Sequence, residues 1–237
     1  MLLKELKTTD FNQEKKYTFV LPMGATEQHG PFLPIGTDTY CQNAMLEKAI
    51  KECPEAIFLP TLEITCSKEH IGFPGTVWVE KETLMLMLRD ISMSLKDYAS
   101  NIIFISWHGG NLGTIDRFIE KYTAELGSVK LHYITLDPEP VLQKTMELIN
   151  GPVDDHAGNT ETSMVLAIDE DLVTVPPANY PKKDIGYDWD DKHPLKDFSK
   201  DGIHDRHPKW VVDKEQGRLL IGWSAEHLKN EIQRIMQ

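Results

Sequence analysis

The chain has 237 residues, 41% of them hydrophobic and 26% charged, which is enough to bury a sizeable core within one domain. Its 25 Lys+Arg against 37 Asp+Glu give a net charge of -12, the wrong sign for neutralising nucleic-acid phosphates or binding anionic lipid. Neither nucleic acid nor a membrane is therefore an expected partner. Cys41, Cys53 and Cys66 are odd in number and lack CxxC spacing, a pattern of free thiols in a reducing, cytoplasmic setting. The N-terminus has no signal-like apolar region, and runs such as LMLML at 84–88 are too short to span a bilayer.

In chain order, short runs rich in Val, Ile, Phe and Tyr alternate with amphipathic stretches. Strands are expected at 17–22, 56–60, 101–106 and 129–135. Helices are expected at 38–52, 80–98, 112–126, 138–149, 159–169 and 213–235. Such alternation predicts βαβ units, hence an α/β protein with a mainly parallel sheet. From 174 to about 210 the sequence turns to Pro, Asp and Gly without sustained period, and a long ordered loop is expected. Segments of this kind often act as lids, and Tyr180, Tyr187, Trp189 and Trp210 suit a pocket cover or a subunit contact.

Three clusters carry chemistry. GATEQHGPFLPIGTD, residues 24–38, follows the first strand. Glu27 and His29, two apart in an extended segment, point to one side, and Asp38 returns after Gly and Pro have turned the chain. Two carboxylates and an imidazole suit a borderline divalent metal such as zinc, manganese or iron. The plainer reading makes Glu27 a solvated charge, His29 a hydrogen-bonded loop residue and Asp38 a helix cap.

SWHGGN, residues 106–111, follows the third strand, where an open parallel sheet places its ligand crevice. His108 then faces the first cluster, Gly109 and Gly110 allow close backbone approach, and Asn111 can cap the next helix. A purely structural strand-to-helix turn is the alternative. In DDHAGNTETS, residues 154–163, Glu161 falls in the first turn of a helix, where its charge suits the macrodipole. His156 beside Asp155 could be oriented by that carboxylate and move protons near neutral pH, or be structural.

The strings EQHGPFLPIGTD, HGGN and HAGNTETS, with EHIGFPGT at 69–76, resemble the creatininase (creatinine amidohydrolase) family over about residues 17–170. A weaker echo lies at 201–217. The resemblance implies a single three-layer α/β/α domain over residues 1–237, two divalent metal ions and a homo-oligomer, in the family often a ring-like hexamer. It makes Glu27, His29, Asp38 and His108 metal ligands, with Asp38 bridging, and Glu161 the remaining one.

The chain departs from the family at Phe32, where a second histidine is common, and at SWHGGN, where NGHGGN is common. It also has Gly110 where creatinine-cleaving members carry a glutamate, and no Trp between 108 and 156, so creatinine is not the expected substrate. What is expected is a metal-dependent amidohydrolase cleaving a C–N bond in a small cyclic amide, formamide or peptide-like substrate. His156 serves as general acid, and His70, Gly109, Gly110 and Asn111 line the substrate site. His70 could equally be a loop histidine with a backbone partner. Two other readings stay open: a metal-dependent isomerase or lyase on a small sugar or nucleotide, and a non-catalytic, metal-stabilised family member.

Overall fold

The computed structural model describes all residues except 13, 154, 155, 183, 187 and 188, so Asp155 and Tyr187 lie outside the described residues. Among the described residues, β1 (Tyr17–Met23), β2 (Ala56–Phe58), β3 (Ala99–Ser106) and β4 (Lys130–Thr135) form one sheet in the order β2-β1-β3-β4. Every pairing in it is parallel. Strand β1 is buried along its whole length and β3 nearly so, because helices cover both faces. Their central runs, FVL in β1 and IIFI in β3, are accordingly apolar at successive positions rather than alternating with polar residues.

The helices are α1 (Thr37–Glu52), α2 (Lys81–Leu95), α3 (Leu112–Tyr122), α4 (Glu139–Ile149), α5 (Asn159–Ile168) and α6 (Lys214–Met236). Alternate strand residues feed two separate cores. Val20, Ile103 and Ile105 pack with Met45 of α1, Met164 of α5 and Leu228 of α6. Phe19, Leu21 and Phe104 pack on the other face with Leu88 of α2 and Phe118 of α3. The result is three layers, as the resemblance implied.

Local chemistry sets the ends of these elements. The Asp213 carboxylate accepts the Gln216 N–H at 2.9 Å and opens α6. Asn150, left-handed at φ 53°, closes α4, and the Gly151 N–H returns to Met146 O at 3.1 Å. Gly217 lets α6 cross α5 closely, since a Cβ there would run into the Ser163 carbonyl. That crossing fixes the helix carrying Glu161. Two helices are shorter than their apolar patterns suggested: α2 stops at Leu95, and α3 gives way at Thr123 to a tighter 3-10 turn.

The chain leaves β1 toward β2 on one side and reaches β3 and β4 on the other, so it reverses between β1 and β3. A ligand crevice is expected beyond the carboxyl ends of those two strands. No helix of the described residues is long and apolar enough to cross a membrane. All three cysteines are free and buried.

Candidate metal centre

Five side chains converge beyond β1 and β3. The segment after β1 is pinned by Glu27 N–H to Ile35 O at 3.0 Å and Val77 N–H to Thr26 O at 2.8 Å. His29 is held through Nδ1 by the Glu27 carbonyl at 3.2 Å, which turns its Nε2 inward. Asp38 lies in the first turn of α1, with Gly36 rather than Asp38 at the cap position. His108 follows β3, and Glu161 lies in the first turn of α5, where its Oε2 accepts the Ala157 N–H at 2.6 Å. Glu27, His29, Asp38 and His108 are buried, so none is a solvated loop charge.

The spacing within this cage is diagnostic. His29 Nε2 lies 3.6 Å from Asp38 Oδ1 and 3.6 Å from Glu161 Oε1. His108 Nε2 lies 3.3 Å from Glu27 Oε2, and His108 Nδ1 lies 3.5 Å from Asp38 Oδ2. These separations are long for charge-assisted hydrogen bonds. Two atoms each bound at roughly 2.1 Å to one tetrahedral ion stand about 3.4 Å apart. Glu27 Oε2, His29 Nε2 and Asp38 Oδ2 are buried without a hydrogen-bond partner, which is costly unless a cation completes them. Imidazole nitrogens and carboxylate oxygens are donors for zinc or manganese, so the residues present fit such ions. His29–Asp38–Glu161 and Glu27–Glu69–His108 each gather three donor atoms within 4.8 Å of one another.

Electrostatics agree with that fit. Burial pushes Glu27 up to about 7, partly offset by His108. Burial works against the charged form of His108, yet Glu27 and Asp38 outweigh it and hold the imidazole at about 10. His29 is likewise held well above its ordinary value: burial opposes charging, and Asp38 and Glu161 overcome it. The surrounding carboxylates thus make the cage favour positive charge at its centre.

His156 and His70 behave oppositely. Burial, then neighbouring imidazoles, drives both well below the ordinary histidine range, so both are neutral. Gln28, between Glu27 and His29, organises them. Its Nε2 lies 3.0 Å from His70 Nδ1 and 2.8 Å from His156 Nε2, and it donates to Gly202 O at 3.1 Å. Its Oε1 accepts the Gly30 N–H at 2.9 Å. His156 Nε2 also meets Gln28 O at 2.8 Å. In either tautomer Gln28 takes up Nε2, which leaves Nδ1, 3.7 Å from Glu27 Oε1, turned to the cage. The His156 backbone pairs with His204 in both directions at 2.9 Å, so the DGIHDRHPKW stretch is structurally tied to the centre.

Two cavities, of about 420 and about 410 Å³, reach the cage and share Glu27, His108, Gly109 and His156. The first is walled by Glu69, His70, Gly110 and Trp189, the second by Asp38, Trp107, Glu161 and Arg206. Asn111 lines neither cavity. Its amide is spent on structure: Oδ1 accepts Cys66 N–H at 3.2 Å, and Nδ2 reaches Gly24 O, Thr65 Oγ1 and Ser106 Oγ at 3.1–3.3 Å. It does not use its side chain to cap α3. Phe32 stands away from the cage, edge-on to Tyr180 at 4.7 Å and to Trp210 at 5.9 Å, anchoring the 174–210 segment.

Sequence reasoning passed over Glu69 and Gln28, whereas Trp189 stands on a cavity wall as an expected pocket cover. The signal for Glu69 was its place beside His70 in EHIGFPGT. That for Gln28 was its position between two expected ligands, which a strict alternation rule sends to the opposite side.

The three-layer parallel fold and a buried His–carboxylate cage at its strand ends define an α/β protein with a candidate metal centre. The family model Creatininase, described as creatinine amidohydrolase, matches residues 4–232, and the chain belongs to that family. The mycofactocin precursor peptide peptidase of Mycolicibacterium smegmatis is 35% identical over 159 residues, 65% of this chain and 59% of that protein. The creatinine amidohydrolase of Pseudomonas putida is 29% identical over 188 residues, 70% of this chain and 72% of that protein. The chain thus spans about three-fifths of the length of the peptidase relative. A solved creatininase shares the fold at TM-score 0.74 and 21% identity, covering 98% of this chain and 96% of its own. Solved forms include a manganese form and a mutant of zinc–zinc type, with TM-scores of 0.74 and 0.73.

Proposed function

We propose that this protein is a metal-dependent hydrolase of C–N amide bonds, acting on a small or peptide-like amide. The observation that carries the reading is the set of buried, unpartnered donor atoms on Glu27, His29 and Asp38 at the meeting point of two cavities. Glu27, His29, Asp38, His108 and Glu161 would hold the metal, zinc or manganese, and two ions suit so many donors. Divalent ions bound there supply Lewis acidity, lowering the pKa of water and polarising an amide carbonyl.

The chain's own residues do the rest. Gln28 fixes His156 through Nε2, so its Nδ1 is the atom that would take up a proton and deliver it to the leaving nitrogen. This keeps the expected acid–base role of His156, with Gln28 as its orienting partner among the described residues. His70, Gly109 and Gly110 form the floor of the first cavity, and Trp189, from the 174–210 segment, roofs it; that segment serves as a lid. Trp189 packs on His70 at 5.5 Å and its Nε1 donates to His204 Nδ1 at 3.3 Å, which fixes the indole at the wall of the first cavity.

A peptide-like substrate draws support from the peptidase relative in M. smegmatis. Creatinine is disfavoured because position 110 is Gly. Assembly as a homo-oligomer belongs to the same proposal and is checked by light scattering. The test of function loads the chelator-stripped protein with zinc or manganese and screens short peptides, formamides and cyclic amides for released amine. Metal-dependent release that chelation abolishes is the expected result. Tight metal retention with no turnover across the panel would instead point to a non-catalytic member.

A further inference from the structure

We propose that Glu69 is a metal ligand, closing with Glu27 and His108 a position separate from the His29–Asp38–Glu161 position. The proposal rests on the metal-centre reading above and adds to it a residue outside the expected ligand set.

Glu69 sits in the 3-10 turn Lys68–His70 on the wall of the first cavity, with only 8% of its surface exposed. Its Oε2 is buried without a hydrogen-bond partner. Its Oε1 stands 3.5 Å from His108 Nε2, and Glu27 Oε2 stands 3.3 Å from the same nitrogen. Nε2 therefore faces two carboxylates at the edge length of a metal polyhedron, beside the Cys66 carbonyl that it also meets, and a bound ion would draw it from that carbonyl toward the carboxylates. Lys81, the ammonium on the same cavity wall, is committed to Asp191 at 2.8 Å. A buried carboxylate with an idle oxygen is expensive to maintain, and an ion among Glu27, Glu69 and His108 removes that cost.

Gly110 makes the approach possible. A Cβ built there would run into Glu69 Oε1, His108 Nε2 and the Cys66 carbonyl. Gly110 has no positive φ, so its lack of a side chain serves the space beside it rather than a backbone turn.

The experiment is calorimetric titration of zinc, and separately of manganese, into chelator-stripped wild type, Glu69→Gln and Gly110→Ala, with stoichiometry confirmed by elemental analysis. Wild type is expected to take two equivalents. Both variants should keep one ion at wild-type affinity and bind the other at least tenfold more weakly. Gly110→Ala retains every charged group, so it decides the matter if Glu69→Gln fails to fold. Two ions in the variants at affinities within twofold of wild type would overturn the role of Glu69 while leaving the metal centre standing. Loss of both ions from a folded variant would overturn the separation of the two positions. A wild type that takes up no ion would sink both this proposal and the function it rests on.

Discussion

The rings of His70 and His156 stack at a centroid distance of 4.3 Å and an interplanar angle of 31°, with one glutamine amide, that of Gln28, touching both. Two imidazolium ions could not share that contact, so the pair stays neutral while His29 and His108, a few ångströms away, are driven toward the charged state by carboxylates. The centre thus separates these four histidines into two groups: one driven toward the charged state, and one held neutral.

That division predicts the effect of His156→Ala. Metal content by elemental analysis should stay at the wild-type value, while turnover of a responsive amide falls roughly 100-fold or more, the usual weight of a positioned proton carrier. A metal-free His156→Ala protein with an intact fold would show that the imidazole is a ligand instead.

Asp38→Ala and His108→Ala address the cage itself. Each removes a buried donor atom of the proposed centre and should weaken metal binding at least 100-fold, read by equilibrium dialysis beside a circular dichroism spectrum that confirms the fold. Wild-type affinity in either variant would remove that residue from the centre.

Stability of the metal-free protein should depend on pH in a stated direction. His108 is raised from 6.5 to about 10 and Glu27 from 4.5 to about 7, so the folded state binds more protons than the unfolded one. Stability from these groups is present at the low end and is lost as pH rises through the folded values. Between pH 6.5 and 10 the melting temperature of chelated protein should therefore fall, and zinc should flatten the decline by replacing those protons. Parallel curves with and without zinc would contradict the exchange.

Asn111→Ala should destabilise the fold by about 3 kcal/mol, because it strands the Cys66 N–H and leaves buried Gly24, Thr65 and Ser106 oxygens short of a donor. Urea unfolding measures this. A change under about 0.5 kcal/mol, the level of an ordinary surface substitution, would mean that water takes over those bonds.

Much of this was legible in the sequence because the relevant signals are local. The central runs of β1 (FVL) and β3 (IIFI) are apolar at successive positions since both faces are covered, and Glu27, His29 and His108 lie in the segments after those strand ends, where ligand sites form. Gly36, not Asp38, caps α1, a shift of two positions that composition does not resolve. What stayed hidden depends on contacts between distant residues. Glu69 looks like one more acidic residue until Gly110 brings His108 against it. Asn111 has the look of a cap, yet its amide serves three other stretches of chain. Phe32, a departure from the family pattern beside a metal loop, turns out to serve the 174–210 segment through Tyr180 and Trp210.

The cage takes its groups from residue 27 through residue 161, with β3 and α5 both required in place. A nascent chain that has emerged only as far as β4 can already close Glu27 on His108, but it lacks Glu161. Ion capture at the proposed His29–Asp38–Glu161 position would consequently be a late event in maturation, one that rewards only chains whose long-range pairings are complete. Metal supply would then act on the yield of finished protein as well as on its activity, by withdrawing correctly assembled molecules from the pool that can still unfold.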